Sequence, residues 1–345
     1  MPSSLLTFKY RIKDSTSGKH LGRLGWAVNT VWNFCNEVSM LALRRDKHWL
    51  SVFELINLCA GAGAELGLHS DTISEICREY VTRRIQFKKR RLKWRSRKHS
   101  LGWIPFKARF LKIEGDSIKY LKRRFRFWLS RAIKGVIKTG SFTQDARGRW
   151  YVNFQCEVED PGVPVGETEI GIDLGLTNQL WCTDMDEPYS RENLTRTHED
   201  TLAMAQRARK KKRVKAIHAK IANCRKDWTH KTTTEIVRRA TLISVGDVSS
   251  TKLVKTRMAK SVYDAGWGQL RTCLEYKAKR LGVVYREVSE RYSSSTCSAC
   301  DARTGPSGLS ALGVREWVCV ACKARHKRDL NSAHIHLRRG RATLV

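Results

Sequence analysis

Two kinds of side chain in this sequence are spaced for metal chemistry. Cys297-Ser298-Ala299-Cys300 and Cys319-Val320-Ala321-Cys322 are C-x-x-C pairs separated by 18 residues. Each pair can sit on a tight knuckle that points two thiolates at one tetrahedral ion, and the separation is that of a four-thiolate zinc ribbon. Four thiolates fill the coordination sphere, so such a Zn²⁺ is structural and leaves no open position for catalysis. The second kind is carboxylate. In Glu169-Ile170-Gly171-Ile172-Asp173-Leu174-Gly175 a short apolar strand runs into Asp173 and then a turn. A carboxylate where a buried strand meets a polar turn is well placed to hold a divalent cation, and Gly175 leaves space for a phosphate backbone. The plain alternative is a hairpin acid that only tightens its turn. Cys182 and Cys224 read as ordinary buried residues, and His334 and His336 as surface or packing residues.

The elements that position these residues follow from hydrophobic period. Residues 3–13 alternate as a strand. From Leu21 a helical stripe runs through Leu24, Val28, Val31, Trp32 and Cys35, a second helix covers 51–61, and a third runs from an N-cap at Asp71 to about Ser96. Residues 141–144 and 150–158 flank the turn Asp145-Ala146-Arg147-Gly148-Arg149, a hairpin signal. These strands and the N-terminal one predict a small antiparallel β unit into which the helices are inserted. After Glu167 the order is strand, strand, a long basic helix over 199–239, a buried strand over 241–248, a helix over 260–281 and a strand over 282–288. That is an α/β pattern with part of the sheet parallel. A last helix begins near Asp329, with an apolar face of Leu330, Ala333 and Leu337.

The chain has 345 residues, 66 Lys and Arg against 33 Asp and Glu, and a formal net charge of +33. An enzyme of small metabolites has no use for such an excess, which costs self-repulsion. A long polyanion as partner accounts for it through counterion release. Two dense basic runs are the predicted nucleic-acid contacts. They are Arg83, Arg84, Lys88, Lys89, Arg90 and Arg91, interleaved with aromatic residues, and Arg209, Lys210, Lys211, Lys212 and Arg213. No apolar run approaches the ~20 residues that cross a bilayer, and the N-terminus lacks the order of a signal peptide. With eleven Cys, seven of them scattered singly, a reducing intracellular compartment is expected, with no membrane partner.

Several segments together carry a resemblance. They are Gly171-Ile172-Asp173-Leu174-Gly175, Gly246-Asp247-Val248-Ser249-Ser250, Lys255-Thr256-Arg257-Met258-Ala259-Lys260 with Asp264-Ala265-Gly266-Trp267, Tyr292-Ser293-Ser294-Ser295-Thr296-Cys297, and Arg328-Asp329-Leu330-Asn331-Ser332-Ala333; Pro105-Phe106-Lys107 adds a weaker match. With them the sequence resembles the TnpB (OrfB) family of transposon-encoded, RNA-guided DNA nucleases, relatives of the type V CRISPR effectors. The resemblance implies an α/β and β multidomain chain. A RuvC-like nuclease domain of RNase H-like fold would span 166–292 and 324–345, with a zinc ribbon at 293–323. A β-barrel wedge domain would span 1–17 and 99–165, and a helical recognition domain 18–98. The implied partners are a guide RNA derived from the transposon end, one protein chain per guide, and double-stranded target DNA read beside a short adjacent motif.

The implied chemistry is phosphodiester hydrolysis with two Mg²⁺ about 3.5–4 Å apart, one activating water and the other stabilising the leaving oxygen. By resemblance Asp173 is the first catalytic carboxylate and Asp329 the third. The second is normally a Glu at the end of the middle strand, where this sequence reads Gly246 and then Asp247. Glu290, just past the next strand, or Asp247 would supply it; Glu290 is preferred, because Asp247 is short and adjacent strand positions face opposite ways. Glu287 falls within the strand. The alternative on the same scaffold is a nuclease-inactive, RNA-guided DNA-binding repressor. A third reading, a DNA-binding transposase without a guide, explains charge and zinc but not the N-terminal half.

Overall fold

A computed structural model describes residues 3–13, 15–89, 91–162, 166–191, 193–248, 259–308, 311 and 313–344. Arg90, Ser249, Ser250 and the segment Lys255–Met258 lie outside the described residues. The chain divides into two units, Ser3–Glu159 and Asp160 onwards.

In the first unit β1 (Ser3–Arg11) puts Phe8 and Tyr10 inward, as its alternation requires. It pairs antiparallel along its whole length with a strand much later in the chain, Ser3 opposite Glu159 and Arg11 opposite Tyr151. Between them come α1 (Ser15–Asp46), α2 (Val52–Leu58), α3 (Ala62–Leu66), α4 (Ser70–Gln86), β2 (Trp103–Lys107), β3 (Lys112–Glu114), β4 (Ser117–Tyr120), β5 (Arg123–Arg126) and β6 (Val136–Gln144). The partner strand is β7 (Trp150–Glu159). The sheets run β1-β7-β6-β2 and β3-β4-β5. Tyr10, Phe106, Phe125, Phe127, Phe142 and Phe154 fill the core with tilted and edge-on rings, an arrangement that suits the aromatic quadrupole.

Four expectations change here. The first helix starts at Ser15, six residues before Leu21, and α3 was not foreseen. The N-cap of α4 is His69; Asp71 lies inside the first turn, buried and paired with Arg109 at 2.6 Å. Helix α4 also stops at Gln86 instead of reaching Ser96. Lys88 turns left-handed, and the chain beyond is gripped by two asparagines of α1. Asn36 donates to Leu92 O (2.9 Å) and accepts from its N–H (3.1 Å). Asn33 does the same for Arg95, at 2.8 Å both ways. Four hydrogen bonds to an extended backbone outweigh a propensity of a few tenths of a kcal/mol per residue.

The second unit is built on β8 (Thr168–Asp173) and β9 (Trp181–Cys182), followed by α5 (Leu194–Thr197), α6 (Glu199–Arg207), α7 (Lys211–Arg239), β10 (Ala240–Gly246), α8 (Ala259–Ala265), α9 (Trp267–Arg280) and β11 (Val284–Val288). The sheet order is β11-β10-β8-β9; β10 runs parallel to β8 and β11, and β9 antiparallel to β8. Ile170, Ile172, Leu242, Ile243 and Val245 are buried, as a sheet covered on both faces demands. The two long helices foreseen are each broken: the first at Arg209, which is left-handed between α6 and α7, the second at Gly266 (φ 69°). A small hairpin, β12 (Glu316–Val318) and β13 (Arg325–Lys327), precedes α10 (Arg328–Arg341). That last helix lies against β8 so closely that a Cβ on Gly171 would come 2.1 Å from Ala333 O. Only glycine admits this approach.

Candidate metal centres

Parallel pairing sets the ends of β8, β10 and β11 side by side, so Asp173, Asp247 and Glu290 leave the sheet at one edge. The side chain of Asp173 is 16 % exposed. Burial first, then the negative charges of Asp329 and Glu290, holds its carboxyl well above the usual range. Glu290 is raised as well, by burial and then by Asp247. The negative charges of Asp329 and Glu290 thus both act on Asp173, and a divalent cation beside it would relieve them.

Glu290 and Asp247 play different parts. Asp247 N–H donates to Val288 O (2.8 Å), and Asp247 Oδ1 accepts from Glu290 N–H (3.0 Å). Arg339 of α10 donates to the carbonyls of Ser289 and Arg291. The loop carrying Glu290 is therefore held from both sides, and Asp247 is one of the holders. Glu287 lies in β11 and pairs with Arg271 at 3.1 Å.

The vacancy at Gly246 is filled by a residue read above as packing or surface. His336 of α10 is fully buried and lies on Gly246; a Cβ there would stand 2.6 Å from its Cε1. Its Nδ1 is 2.9 Å from Ile172 O and 3.8 Å from Asp173 Oδ1. A carbonyl only accepts, so Nδ1 carries the proton. Burial holds the imidazole down to about 4, neutral at pH 7. Its Nε2 is buried without a partner. Glycine at 246 and histidine at 336 are one packing solution, with the imidazole steadying the end of β8 beside Asp173. Gly246→Ala is expected to destabilise the protein by about 1–3 kcal/mol through overpacking, read as a lower denaturant midpoint. The sequence signal was the i, i+3 spacing of Ala333 and His336 on the buried face of α10.

Gly175 has a different reason from the one expected. Its missing side chain admits Asn178 O, which a Cβ would meet at 2.3 Å, and its own carbonyl accepts from Trp267 Nε1 at 3.2 Å. The glycine serves a tight turn rather than space for a phosphate.

Asp329 opens α10, where its charge favours the helix dipole; Arg315 Nη1 lies 3.6 Å from its Oδ2. Two residues on, Asn331 is buried and joins the helix to the thiol cluster. It accepts from Ser298 N–H (2.8 Å) and donates to Ser293 O (3.2 Å) and Thr296 O (2.8 Å). Asn331→Ala leaves three backbone groups, one buried and two half-buried, without this partner. The expected cost is about 2–4 kcal/mol, seen as faster amide exchange at Ser298 and the first turn of α10.

The four ribbon cysteines converge, their sulfurs within 4.8 Å of one another. Cys297 Sγ and Cys322 Sγ are 3.6 Å apart, as are Cys300 Sγ and Cys319 Sγ. Sulfurs at the corners of a tetrahedron with ~2.3 Å zinc bonds stand about 3.8 Å apart. The two knuckles share one backbone. Cys297 N–H bonds to Ala302 O and Asp301 N–H to Cys297 O; Cys319 N–H bonds to Ala324 O and Lys323 N–H to Cys319 O. Asp301 and Lys323 are both left-handed. The Thr304 hydroxyl donates to Cys319 Sγ (3.2 Å), and His326 Nε2 lies 3.1 Å from Cys297 Sγ. Backbone N–H groups, with Cys322 first, and then Thr304 pull the Cys319 thiol down to about 6. The cluster suits a closed thiolate zinc site.

The basic runs divide. Arg209, Lys210, Lys211, Lys212 and Arg213 are exposed at the break between α6 and α7, and none meets a described carboxylate. Lys88, Lys89 and Arg91 are exposed on the extended segment after α4. Arg83 is occupied by Glu79 (2.6 Å) and Gln86 (2.8 Å). Arg84 is not a surface residue: it is 6 % exposed and faces the core, because its position on α4 repeats the apolar face of Cys77, Tyr80 and Val81. Cys182 is buried as expected, whereas Cys224 is exposed. Among the described residues no helix is long and apolar enough to cross a membrane.

Residues 153–257 match the sequence profile OrfB_IS605, described as a "Probable transposase", and residues 267–335 match the "Cas12f1-like, TNB domain". A Streptomyces pristinaespiralis protein provisionally named RNA-guided DNA endonuclease is 32 % identical over 217 residues, 59 % of this chain and 53 % of its own length. A second, from Escherichia coli (strain K12) and provisionally named RNA-guided DNA endonuclease InsQ, is 25 % identical over 249 residues, 64 % of this chain and 61 % of its own. The chain thus spans between half and two thirds of the length of these relatives. A cryo-EM structure of a Cas12f1–sgRNA–target DNA complex shares the fold over 94 % of this chain and 83 % of that one, with TM-score 0.61 at 12 % identity. An OrfB match that runs on into a Cas12f1-like match, on a chain with the fold of Cas12f1, makes this chain similar in successive stretches to the OrfB-type probable transposases and to the Cas12f1-like TNB domain.

Proposed function

We propose that this chain is an RNA-guided DNA endonuclease of transposon origin. It takes one guide RNA per chain and cuts double-stranded DNA beside a short adjacent motif. In this reading residues 166–292 and 324–345 are a RuvC-like domain of RNase H-like fold, 293–323 its zinc ribbon, 1–17 with 99–165 a wedge barrel and 18–98 a recognition domain. The observation that carries it is the placement of Asp173, Asp247 and Glu290 at one end of the parallel strands, with Asp329 opening the helix that packs against β8. Three carboxylates from separate elements fit the donor set of a magnesium nuclease. The relatives' names and the charge of +33 support a nucleic-acid substrate.

Magnesium bound there supplies a Lewis acid for phosphate and water, in the two-ion form usual for phosphodiester hydrolysis. The chain's own residues do the rest. Asp173 and Asp329 present oxygens from the strand end and the helix start. Glu290 supplies the carboxylate that Gly246 lacks, its amide fixed by Asp247. His336, neutral and walled in, keeps the β8 edge from shifting. Exposed Arg209–Arg213 and Lys88, Lys89 and Arg91 offer phosphate contacts.

The test is cleavage by protein expressed with its flanking genomic DNA, so that its guide copurifies. The substrate is a plasmid matching that guide beside a randomised flank, with Mg²⁺ or EDTA. Glu290→Gln is expected to cut at least about 100-fold more slowly, and Asp247→Asn, which loses one hydrogen bond of ~1–3 kcal/mol, about tenfold more slowly. Full activity in Glu290→Gln removes it from the site. Gly246 favours one second reading, the guided repressor: tight RNA-directed binding by wild type without Mg²⁺-dependent cutting establishes that instead.

A further inference from the structure

The N-terminal unit holds a second group of thiols that nothing above uses. Cys35 lies within α1, Cys77 on α4, and Cys59 caps the C-terminus of α2. They are far apart in sequence and carry no C-x-x-C signature, which is why they read as scattered single residues. The fold gathers them in the core, 0 %, 5 % and 0 % exposed in the order 35, 59, 77. Cys35 Sγ is 3.8 Å from Cys77 Sγ, and Cys77 Sγ is 4.0 Å from Cys59 Sγ. All three sulfurs lie within 4.8 Å of one another, and none is in a disulfide.

These spacings match the ~3.8 Å between thiolates that share a zinc ion. Packed neutral thiols touch at a similar distance, so spacing does not decide between them. Charge does. Arg84 lies two turns along α4 from Cys77, on the same face, and is 6 % exposed. Its Nη2 donates to Leu50 O (2.8 Å), its guanidinium lies over Trp49 and Tyr80, and its Nη1 is buried without an acceptor. Among the described residues no carboxylate pairs with it. Arginine does not shed its proton in proteins, so this core holds a positive charge with no counter-charge, a costly state at low dielectric. Three neutral thiols leave that charge standing. Three thiolates around a divalent ion carry one negative charge, which balances it about 10 Å away along the helix.

We propose that Cys35, Cys59 and Cys77 bind a zinc ion as three thiolates in the core of the N-terminal unit, with Arg84 as the compensating charge. Binding releases the three thiol protons to solvent. A fourth, oxygen ligand completes the tetrahedron. The Ser39 hydroxyl, one turn beyond Cys35 on α1, is fully buried and has no hydrogen-bond partner. The ion ties α1, α2 and α4 together at one point, independently of the ribbon.

Zinc is counted by plasma mass spectrometry on the full chain, purified under reducing conditions and dialysed free of loose metal. The expected counts are two per chain in wild type, one in Cys77→Ser, one in the ribbon double variant Cys297→Ser/Cys322→Ser, and none when all three changes are combined. Exchange with cobalt(II) gives a second readout, since the thiolate-to-cobalt absorption must survive in the ribbon variant and vanish with the third change. If Cys77→Ser fails to fold, the ribbon variant still decides, because its substitutions lie outside the N-terminal unit. One zinc in wild type, absent from the ribbon variant, overturns the proposal. A second zinc that persists in both Cys77→Ser and Cys59→Ala overturns it as well.

Discussion

Asp173→Asn is expected to slow guided cleavage by about three orders of magnitude while raising the thermal midpoint of the metal-free protein. The first effect follows from the position of the carboxylate, facing Asp329 and Glu290 at the end of β8. An oxygen that holds a catalytic cation contributes several kcal/mol to the transition state, and ~4 kcal/mol is about 10³ in rate. The second effect has the opposite sign because the folded site is strained by its own charge. Burial first, and then Asp329 and Glu290, raises the Asp173 carboxyl above its ordinary 3.8. An acid raised in the folded state stabilises fully below its unfolded value, and that stability is lost as pH rises through the folded one. At pH 7 without metal the raised Asp173 carboxyl therefore works against the fold. The neutral amide relieves this, and ~1 kcal/mol moves the midpoint by roughly 2–4 °C in a domain of this size. In EDTA the wild-type midpoint should climb as pH is lowered from 7 toward 5, with a shallower climb in the variant. Added Mg²⁺ should lift the wild type and barely move the variant. Guide RNA binding should not change. Unaltered cutting by Asp173→Asn, or a midpoint that falls, removes Asp173 from a shared cation site.

What could be read ahead of the structure had a local cause. A buried strand that ends in Asp173, and two C-x-x-C pairs, are written within a few residues each, because strand period and knuckle geometry are short-range. The parallel middle of the second unit was legible for the same reason: Ile170, Ile172, Ile243 and Val245 form apolar runs that only a doubly covered sheet needs. The features that were not legible depend on distant partners. Helix α4 stops where Asn33 and Asn36 seize the chain 56 to 62 residues away, and no local propensity encodes that. Arg84 sits in a run of cations and reads as surface until its face of α4 is known. Gly246 announced a departure in the site, but its cause is His336, 90 positions on, whose imidazole occupies the space. The same distance hid the thiols of Cys35, Cys59 and Cys77. Side chains that act through tertiary placement are underdetermined by pattern alone, since the hydrophobic period fixes which face is buried but not what meets it.

Cys297→Ser is expected to have the largest effect on stability. A structural thiolate zinc contributes ~10–16 kcal/mol of apparent binding free energy, which is folding free energy for the segment that builds the site. Few other interactions hold that segment. Among the described residues between Thr296 and Lys327 the only regular structure is a pair of three-residue strands, too short to stand alone. With one thiolate lost, the knuckle at Cys297–Cys300 has only its two backbone hydrogen bonds, and Asn331 grips a loop that has come free. The damage therefore travels to α10, and with it to Asp329 and His336. The expected outcome is loss of the ribbon zinc and rapid amide exchange across residues 296–331. Guided cleavage should fall at least as far as in Asp173→Asn, although no carboxylate has changed. Cys224→Ser, at an exposed thiol outside the cluster, is the control and should leave all three readouts unmoved. If Cys297→Ser keeps its zinc and its protection, His326, already 3.1 Å from Cys297 Sγ, has taken the vacant position, and Cys297→Ser/His326→Ala must then lose both. A double variant that loses the ion yet keeps its amide protection shows that the four sulfurs gather by packing alone.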